Sequence, residues 1–265
     1  MDLPTVTTVA RPRTRAELPA EGLPLAGGTW VFSEPHLGVR TLIDLTALDW
    51  EPIRHEPDAL TVAATATIAS LAALPQTPGR PAIALFGAAA RALYASFKVL
   101  DAATIGGNLA LALPAGAMTA VAVALDATIT VWNADGTDRE VAAVDFVTGE
   151  CATVLGPGNL IRSLRFPADA LGCATATRKA ALAEHARSAA FLVGRTLPDG
   201  TPMLTVTAAT DRPIVLTGPQ SWATAGELID PDAFVDDVHG AADWRRAMTG
   251  ILAAEIAHEL GWENA

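Results

Sequence analysis

The stretch DAATIGGNLALALPAGAMTAVAVALDA, residues 101–127, carries no charged side chain between Asp101 and Asp126. A membrane-spanning helix needs roughly 20 consecutive apolar residues, so a run of this length raises that question first. Gly106-Gly107-Asn108 and Pro114 interrupt it. In lipid such interruptions would leave backbone groups without partners. The reading is therefore a buried segment of a soluble fold.

The flanks read as mixed α and β structure. ATITVWNADGTDREVAAVDF (127–146) alternates, turns at Asp135-Gly136 and returns, the pattern of a β-hairpin. NLIRSLRFP (159–167) is a further strand, and a domain boundary is expected near Pro167. Upstream, PAIALFGAAARALY (81–94) has helical spacing with Ile83, Phe86 and Leu93 on one face. DALTVAATATIASLAAL (58–74) starts as a strand at Leu60 to Ala64 and becomes a helix capped near Thr67. GLPLAGG (22–28) is a strand running into a glycine turn, and VRTLIDLTALDW (39–50) is a second strand. Beyond Pro167, residues 168–178 read as a loop, and strands are expected within TPMLTVTAA and RPIVLTG. Trp244, Met248, Ile251, Leu252, Ile256 and Leu260 keep helical spacing up to a stop at Gly261.

Composition narrows the function. The chain has 265 residues and a formal charge of −11, which disfavours a phosphate backbone or an anionic membrane as partner. Cys151 and Cys173, 22 positions apart, suit neither a disulfide framework nor a zinc ribbon, and two thiolates cannot ligate an iron–sulfur cluster. The N-terminus lacks the apolar stretch of a signal peptide, so a cytoplasmic location is expected. His36, His55, His185, His239 and His258 show no metal-ligand spacing and read as isolated surface or core residues. No G-x-S-x-G and no Walker lysine is present. Asp236-Asp237 read as a solvated pair beside the start of the last helix.

Two glycine motifs remain, Ala26-Gly27-Gly28-Thr29 and Thr104-Ile105-Gly106-Gly107-Asn108. Adjacent glycines can present consecutive backbone amides and admit a pyrophosphate without Cβ clashes. On the residues alone they are either anion-binding loops or turn punctuation.

LAGGT, TLIDLTAL, TIGGNLA, ALDATITVW, LIRSLRFP and the closing DDVHGAADWRRAMTGILAAEIAHEL resemble, in that order, the FAD-binding medium subunit of the xanthine dehydrogenase and carbon monoxide dehydrogenase (molybdenum hydroxylase) family. The resemblance implies an α+β fold. A two-subdomain FAD-binding domain of the PCMH, vanillyl-alcohol-oxidase-like type would span 1–167, with subdomains of about 1–50 and 51–167. A smaller α+β flavoprotein C-terminal domain would span 168–265. It implies FAD as cofactor, its diphosphate wrapped by Leu25, Ala26, Gly27, Gly28, Thr29 and Trp30 and by Thr104, Ile105, Gly106, Gly107, Asn108 and Leu109. Thr29, Thr104 and Asn108 would donate hydrogen bonds, Ile161 would meet the adenine through its backbone, and Arg178 or Lys179 would stand near the flavin ring. The implied partners are a molybdopterin-binding large subunit and a [2Fe–2S] small subunit, with a small molecule as final electron acceptor.

Departures from the family pattern leave other functions open. Leu113 stands where the family usually has a serine or aspartate, at what reads as a helix N-cap before Pro114. Ala117 stands where an aspartate often meets the ribose, and bulky Trp30 where an acidic or small residue is typical. Phe97 or Trp30 could stack on an aromatic ring of the cofactor or simply belong to the core. One alternative is a free-standing FAD-dependent oxidoreductase acting on a small organic substrate. The other is a family fold that has lost flavin and serves as a scaffold.

Overall fold

A computed structural model describes residues 3–218 and 221–262. The first unit is a small parallel sheet in the order β1-β3-β2, made of β1 (Thr8–Ala10), β2 (Leu23–Leu25) and β3 (Thr41–Asp44). It buries Ile43, Leu45 and Leu48 against Leu160.

The second unit is a five-stranded antiparallel sheet, β4-β5-β10-β6-β7, with helices on it. After β4 (Ile53–His55) and β5 (Ala59–Ala63) come α1 (Ile68–Ala72), α2 (Ala84–Ala92), α3 (Phe97–Ala102), α4 (Ile105–Leu111) and α5 (Ala117–Ala124). Then follow the hairpin β6 (Thr128–Trp132) and β7 (Asp138–Ala142), the short α6 (Ala143–Phe146), the small ladder of β8 (Val147–Gly149) with β9 (Ala152–Thr153), and β10 (Leu160–Pro167). Thr67 caps α1 as its sequence suggested, accepting from the Ser70 amide at 3.1 Å.

The third unit holds α7 (Ala168–Leu171) and a four-stranded sheet in simple order. Its strands are β11 (Thr175–Ala180), β12 (Ala190–Thr196), β13 (Pro202–Thr207) and β14 (Ile214–Thr217), and α8 (Ala242–Leu260) covers one face. The loop expected at 168–178 is thus a helical turn and most of a strand. The apolar run around Phe191 is the strand β12, buried on both faces. Phe191 and Val193 point into the core of the second unit, whereas Ala190 and Leu192 point under α8. A sheet covered on both sides reads as a continuous apolar run rather than an alternation.

The same sandwich explains the uncharged stretch. Residues 105–111 are the helix α4 rather than a loop, and the second helix begins at Ala117, three residues after Pro114. Every residue of α5 is buried, between α2 on one side and β12 and β13 on the other. A helix apolar all round is one that is covered all round. Met118, Val121 and Val123 are each at most 2% exposed, and such side chains stabilise a fold by about 1.5–3 kcal/mol each. The N-cap of α5 is Gly116, so Leu113 is not a cap position. The Asn108 side-chain oxygen does the capping from α4, accepting from the Met118 amide at 3.0 Å.

α8 ends at Gly261 in the left-handed region (φ 71°), as its sequence suggested, although Ile251 is exposed. Asp237 is not simply solvated. It pairs with the buried Arg245 and accepts from the His239 amide, closing the turn before α8. Cys151 and Cys173 are both free thiols.

Candidate functional site

The connection after β2 carries the first glycine pair. A Cβ on Gly27 would lie 1.7 Å from the Ala102 carbonyl oxygen, so the loop rests directly on the end of α3. Gly28 has φ +70°, a conformation that disfavours any residue with a Cβ, and the Phe32 ring lies against it. Phe32 and Ser33 donate their amides back to the Gly28 and Trp30 carbonyls and close the turn. The amides of Gly27, Gly28, Thr29 and Trp30 donate to no acceptor among the described residues. Thr29 is exposed, which leaves its hydroxyl free as well. Consecutive unspent amides around a left-handed residue form a concave, anion-binding arrangement.

The second pair is built differently. Thr104 caps α4, and the first-turn amides are all committed. Ile105 donates to the Ala66 carbonyl, Gly106 to that of Ala64, Gly107 to the Thr104 hydroxyl at 3.1 Å, and Asn108 to the Thr104 carbonyl. A Cβ on Gly106 would lie 2.5 Å from the Ala64 Cβ and 2.7 Å from its carbonyl oxygen, so this glycine lets the helix seat on the end of β5. A Cβ on Gly107 would meet only the Thr104 hydroxyl, at 3.1 Å. Gly107 is exposed and faces a cleft; Gly106 is buried.

That cleft, of about 530 Å³, runs between the first and second units and joins both glycine pairs. Ala26, Gly27, Gly28, Thr29 and Trp30 line it from one side, and Thr104, Gly106, Gly107 and Asn108 from the other. Ile161 lines it at a bulge in β10, just before the ladder shifts register. Leu25, Ile105 and Leu109 do not reach it: Leu25 lies in β2 beneath Gly28, and the other two are core residues at most 1% exposed. Of the departures from the family pattern, Leu113 and Trp30 line the cleft, whereas Ala117 is buried in α5 away from it.

Arg178 and Lys179 do not meet in the cleft either. Neighbours on β11 face opposite sides of the sheet. Arg178 shares the side of Ala176 and Ala180 under α8, where Glu259 and Glu255 bind it and raise its pKa. Lys179 lies on the other side, its ammonium donating to the Ala186 carbonyl at 2.9 Å and sitting 5.5 Å from the Tyr94 ring centroid. Burial lowers its pKa. Tyr94, half exposed and stacked on His185, stands between Leu93 and Ala95, both of which line the cleft. Of the two cations, Lys179 alone approaches the cleft's rim.

The cleft contains residues that the motifs did not suggest. Leu155, Asn159 and Leu160 line the end near Ile161, and His36 enters from the connection between β2 and β3. No motif marks His36, and only the path of that connection brings it to the cleft. Among the described lining residues none carries a lysine, arginine or carboxylate side chain. The arrangement can hold an elongated ligand with apolar walls, and neutral donors gather where the two glycine pairs face one another. A second cavity, of about 420 Å³, lies between α8 and the segment around Gly226, and its arginine, Arg246, donates to the Gly226 carbonyl.

Residues 16–169 match the family described as the FAD binding domain in molybdopterin dehydrogenase. The chain belongs to this family. FAD is therefore its cofactor, and the cleft fits that group: Gly107 lines it without a side chain, and four amides with no acceptor among the described residues belong to lining residues. Among solved structures, a chain of reconstituted CO dehydrogenase from Oligotropha carboxidovorans is similar with a TM-score of 0.83 and 23% identity, covering 99% of this chain and 100% of that one. A chain of quinoline 2-oxidoreductase from Pseudomonas putida 86 is similar with a TM-score of 0.81 and 19% identity, with full coverage of both. A chain of carbon monoxide dehydrogenase from Hydrogenophaga pseudoflava follows at 0.80 and 22%, covering 99% of each. At such identities the likeness speaks for the fold. No curated protein sequence matches the chain. Among the described residues no helix is long and apolar enough to cross a membrane.

Proposed function

We propose that this member of the FAD-binding family serves as the electron-output subunit of a molybdenum hydroxylase complex. It would take electrons from the [2Fe–2S] clusters of a small subunit, fed by a molybdopterin-binding large subunit, and pass them to an external acceptor. Bound FAD supplies the redox chemistry, since flavin accepts electrons singly and releases one or two. The chain's own residues bind and orient it. Gly27 to Trp30 offer backbone donors, Thr29 and Thr104 offer hydroxyls, and the side-chain NH2 of Asn108 adds another. Ile161 and its neighbours supply an apolar seat for the adenine. Lys179, rather than Arg178, is the cation assigned to the flavin end.

The observation that carries the complex over a free-standing enzyme is the cleft's rim. Trp30 (39% exposed) and Val99 both line the cleft and face solvent, and Phe32, Tyr94 and Phe97 (71% exposed) flank them along the chain. Exposed apolar side chains on the two segments that border the cleft support an interaction site there. Sheet membership supports the division into 1–167 and 168–265. β10 is the last strand of the five-stranded sheet and ends at Pro167, and every later strand among the described residues belongs to the separate four-stranded sheet. The three-stranded sheet of the first 50 residues supports the inner division.

The test is native purification followed by anaerobic mixing. The chain is expected to carry FAD, to associate with molybdenum- and iron-containing subunits, and to have its flavin bleached by a reduced iron–sulfur partner. Flavin reduced by a small organic substrate with no partner present would instead establish the free-standing enzyme.

A further inference from the structure

Four side chains stack where the first unit meets the five-stranded sheet. Arg162 is the extra residue of the β10 bulge, between Ile161, opposite Val131, and Ser163, opposite Thr130. Bulges re-aim side chains. The Arg162 guanidinium carbon lies 4.3 Å from the centre of the Trp50 ring and 5.7 Å from that of Trp132, and the two indoles meet edge to face at 5.3 Å. Arg15 lies over Trp132 at 4.7 Å, donates to the Asn133 and Thr137 carbonyls and pairs with Asp138. Half-buried Arg162 differs: its guanidinium has no hydrogen bond or ion pair among the described residues. Burial, and the nearby charge of Arg54, lower its pKa. Arginine stacks well on aromatic faces, and tryptophan offers the strongest of them.

The stack joins two units. Arg15 lies between β1 and β2, Trp50 in the connection from β3 to β4, and Trp132 and Arg162 on the five-stranded sheet. Both indoles pack against the small core of Ile43, Leu45, Leu48 and Leu160, and two of these, Leu45 and Leu160, also line the cleft. A second link runs through the backbone. The Arg162 carbonyl accepts from the Ala64 amide at 3.1 Å, and the Ala64 carbonyl accepts from the Gly106 amide at 2.9 Å, where α4 is seated.

Resting on the FAD reading of the cleft, we propose that Arg162 is a positioning residue for the dinucleotide. Its stack on Trp50 and Trp132 holds the first unit against the five-stranded sheet, and so sets the Gly27–Trp30 segment at its distance from Gly107. Arg162 is not among the residues that line the cleft and acts through Leu45, Leu160 and Ala64, which are. A ligand gripped from two units binds at full strength only while they are held at the right separation, so its affinity falls with the fraction of chains in that arrangement. A partly desolvated cation over tryptophan is strong enough to change that fraction several-fold.

The test uses the full chain stripped of flavin and titrated with FAD, well below the melting transition, for the wild type, Arg162→Met, Arg162→Lys and Ile256→Val. Methionine keeps an apolar stem and removes the charge, whereas lysine keeps the charge. Ile256→Val, in the core under α8, is a control that loses stability away from the cleft. FAD is expected to bind about three- to thirtyfold more weakly to Arg162→Met, with Arg162→Lys recovering much of the affinity and Ile256→Val binding like the wild type. A folded Arg162→Met with a lower melting temperature but unchanged FAD affinity would overturn the proposal and leave the stack a structural contact. An equal loss in Arg162→Lys would overturn it too, because the charge would then not matter. Should Arg162→Met not fold, Trp50→Phe takes its place, with a ring that attracts cations less. Weaker FAD binding is expected there, and wild-type affinity would overturn the proposal. A wild-type chain that takes up no FAD would remove the FAD reading itself, and this inference with it.

Discussion

The two glycine pairs look alike in sequence and solve different problems. In Ala26 to Trp30 the backbone is left unspent, with four consecutive amides free and the chain turned by the left-handed Gly28. In Thr104 to Asn108 the first-turn amides are already used by Thr104, Ala64 and Ala66, and that segment contributes room rather than donors. Within each pair one glycine serves packing. Gly27 lies on the Ala102 carbonyl and Gly106 on Ala64, contacts the fold needs with or without a ligand. The intact glycine pairs therefore cannot by themselves distinguish a flavin binder from a scaffold. Gly107 and the unspent amides carry that distinction.

Substitution tests this contrast, and the largest effect is expected at Gly27. Gly27→Val puts a side chain into the Ala102 carbonyl and should destabilise the apoprotein by about 3 kcal/mol or more, at the upper end for overpacking, read as a lowered urea midpoint. A midpoint equal to wild type would mean that the loop is not seated on α3.

Next comes Gly107. Gly107→Val should lower FAD affinity by at least about tenfold, equivalent to roughly 1.4 kcal/mol, while the apoprotein still folds. Gly107→Ala should change apoprotein stability by less than about 1 kcal/mol, because the alanine's helix advantage is offset by its close approach to the capping Thr104 hydroxyl, while still weakening FAD. Gly106→Ala should lower the melting temperature. Equal behaviour of the two neighbours would erase the distinction drawn between them.

Asn108→Ala should cost the apoprotein about 1 kcal/mol by uncapping α5, and Asn108→Asp, which keeps the acceptor, should cost less. Urea unfolding of both variants checks this. The smallest effect is expected at Arg178. Its pairing with Glu255 and Glu259 is a surface contact, so Arg178→Ala should change stability by under about 1 kcal/mol, less at high salt, and leave FAD titrations unchanged. A loss of flavin in that variant would return Arg178 to the site.

Much of the architecture was legible locally. The β6–β7 hairpin, the Thr67 cap, the strand at β10 and the end of α8 at Gly261 each follow from short-range chemistry. The readings that needed correction lay where long-range packing decides. Pro114 resembled a helix start because proline favours that position, yet α5 begins at Gly116 and Ala117 and takes its cap from Asn108 on another helix. The segment 168–178 looked like a loop because its polar and small residues show no period, yet it holds the turn α7 and the start of β11, which is ordered by β12. Arg178 and Lys179 were equivalent on paper, and strand alternation sent them to opposite faces.

The sequence alone therefore determined the family, the cofactor class and the uncharged core segment, because motif chemistry and apolar composition are properties of the chain itself. The tertiary structure decided which glycine faces the cleft, which amides remain without an acceptor among the described residues, which cation approaches the rim, and that His36 lines the cleft. The physical reason is the same in each case. A donor, a charge or a missing Cβ acquires its role from what stands opposite it, and here the opposing group lies on another element of the fold.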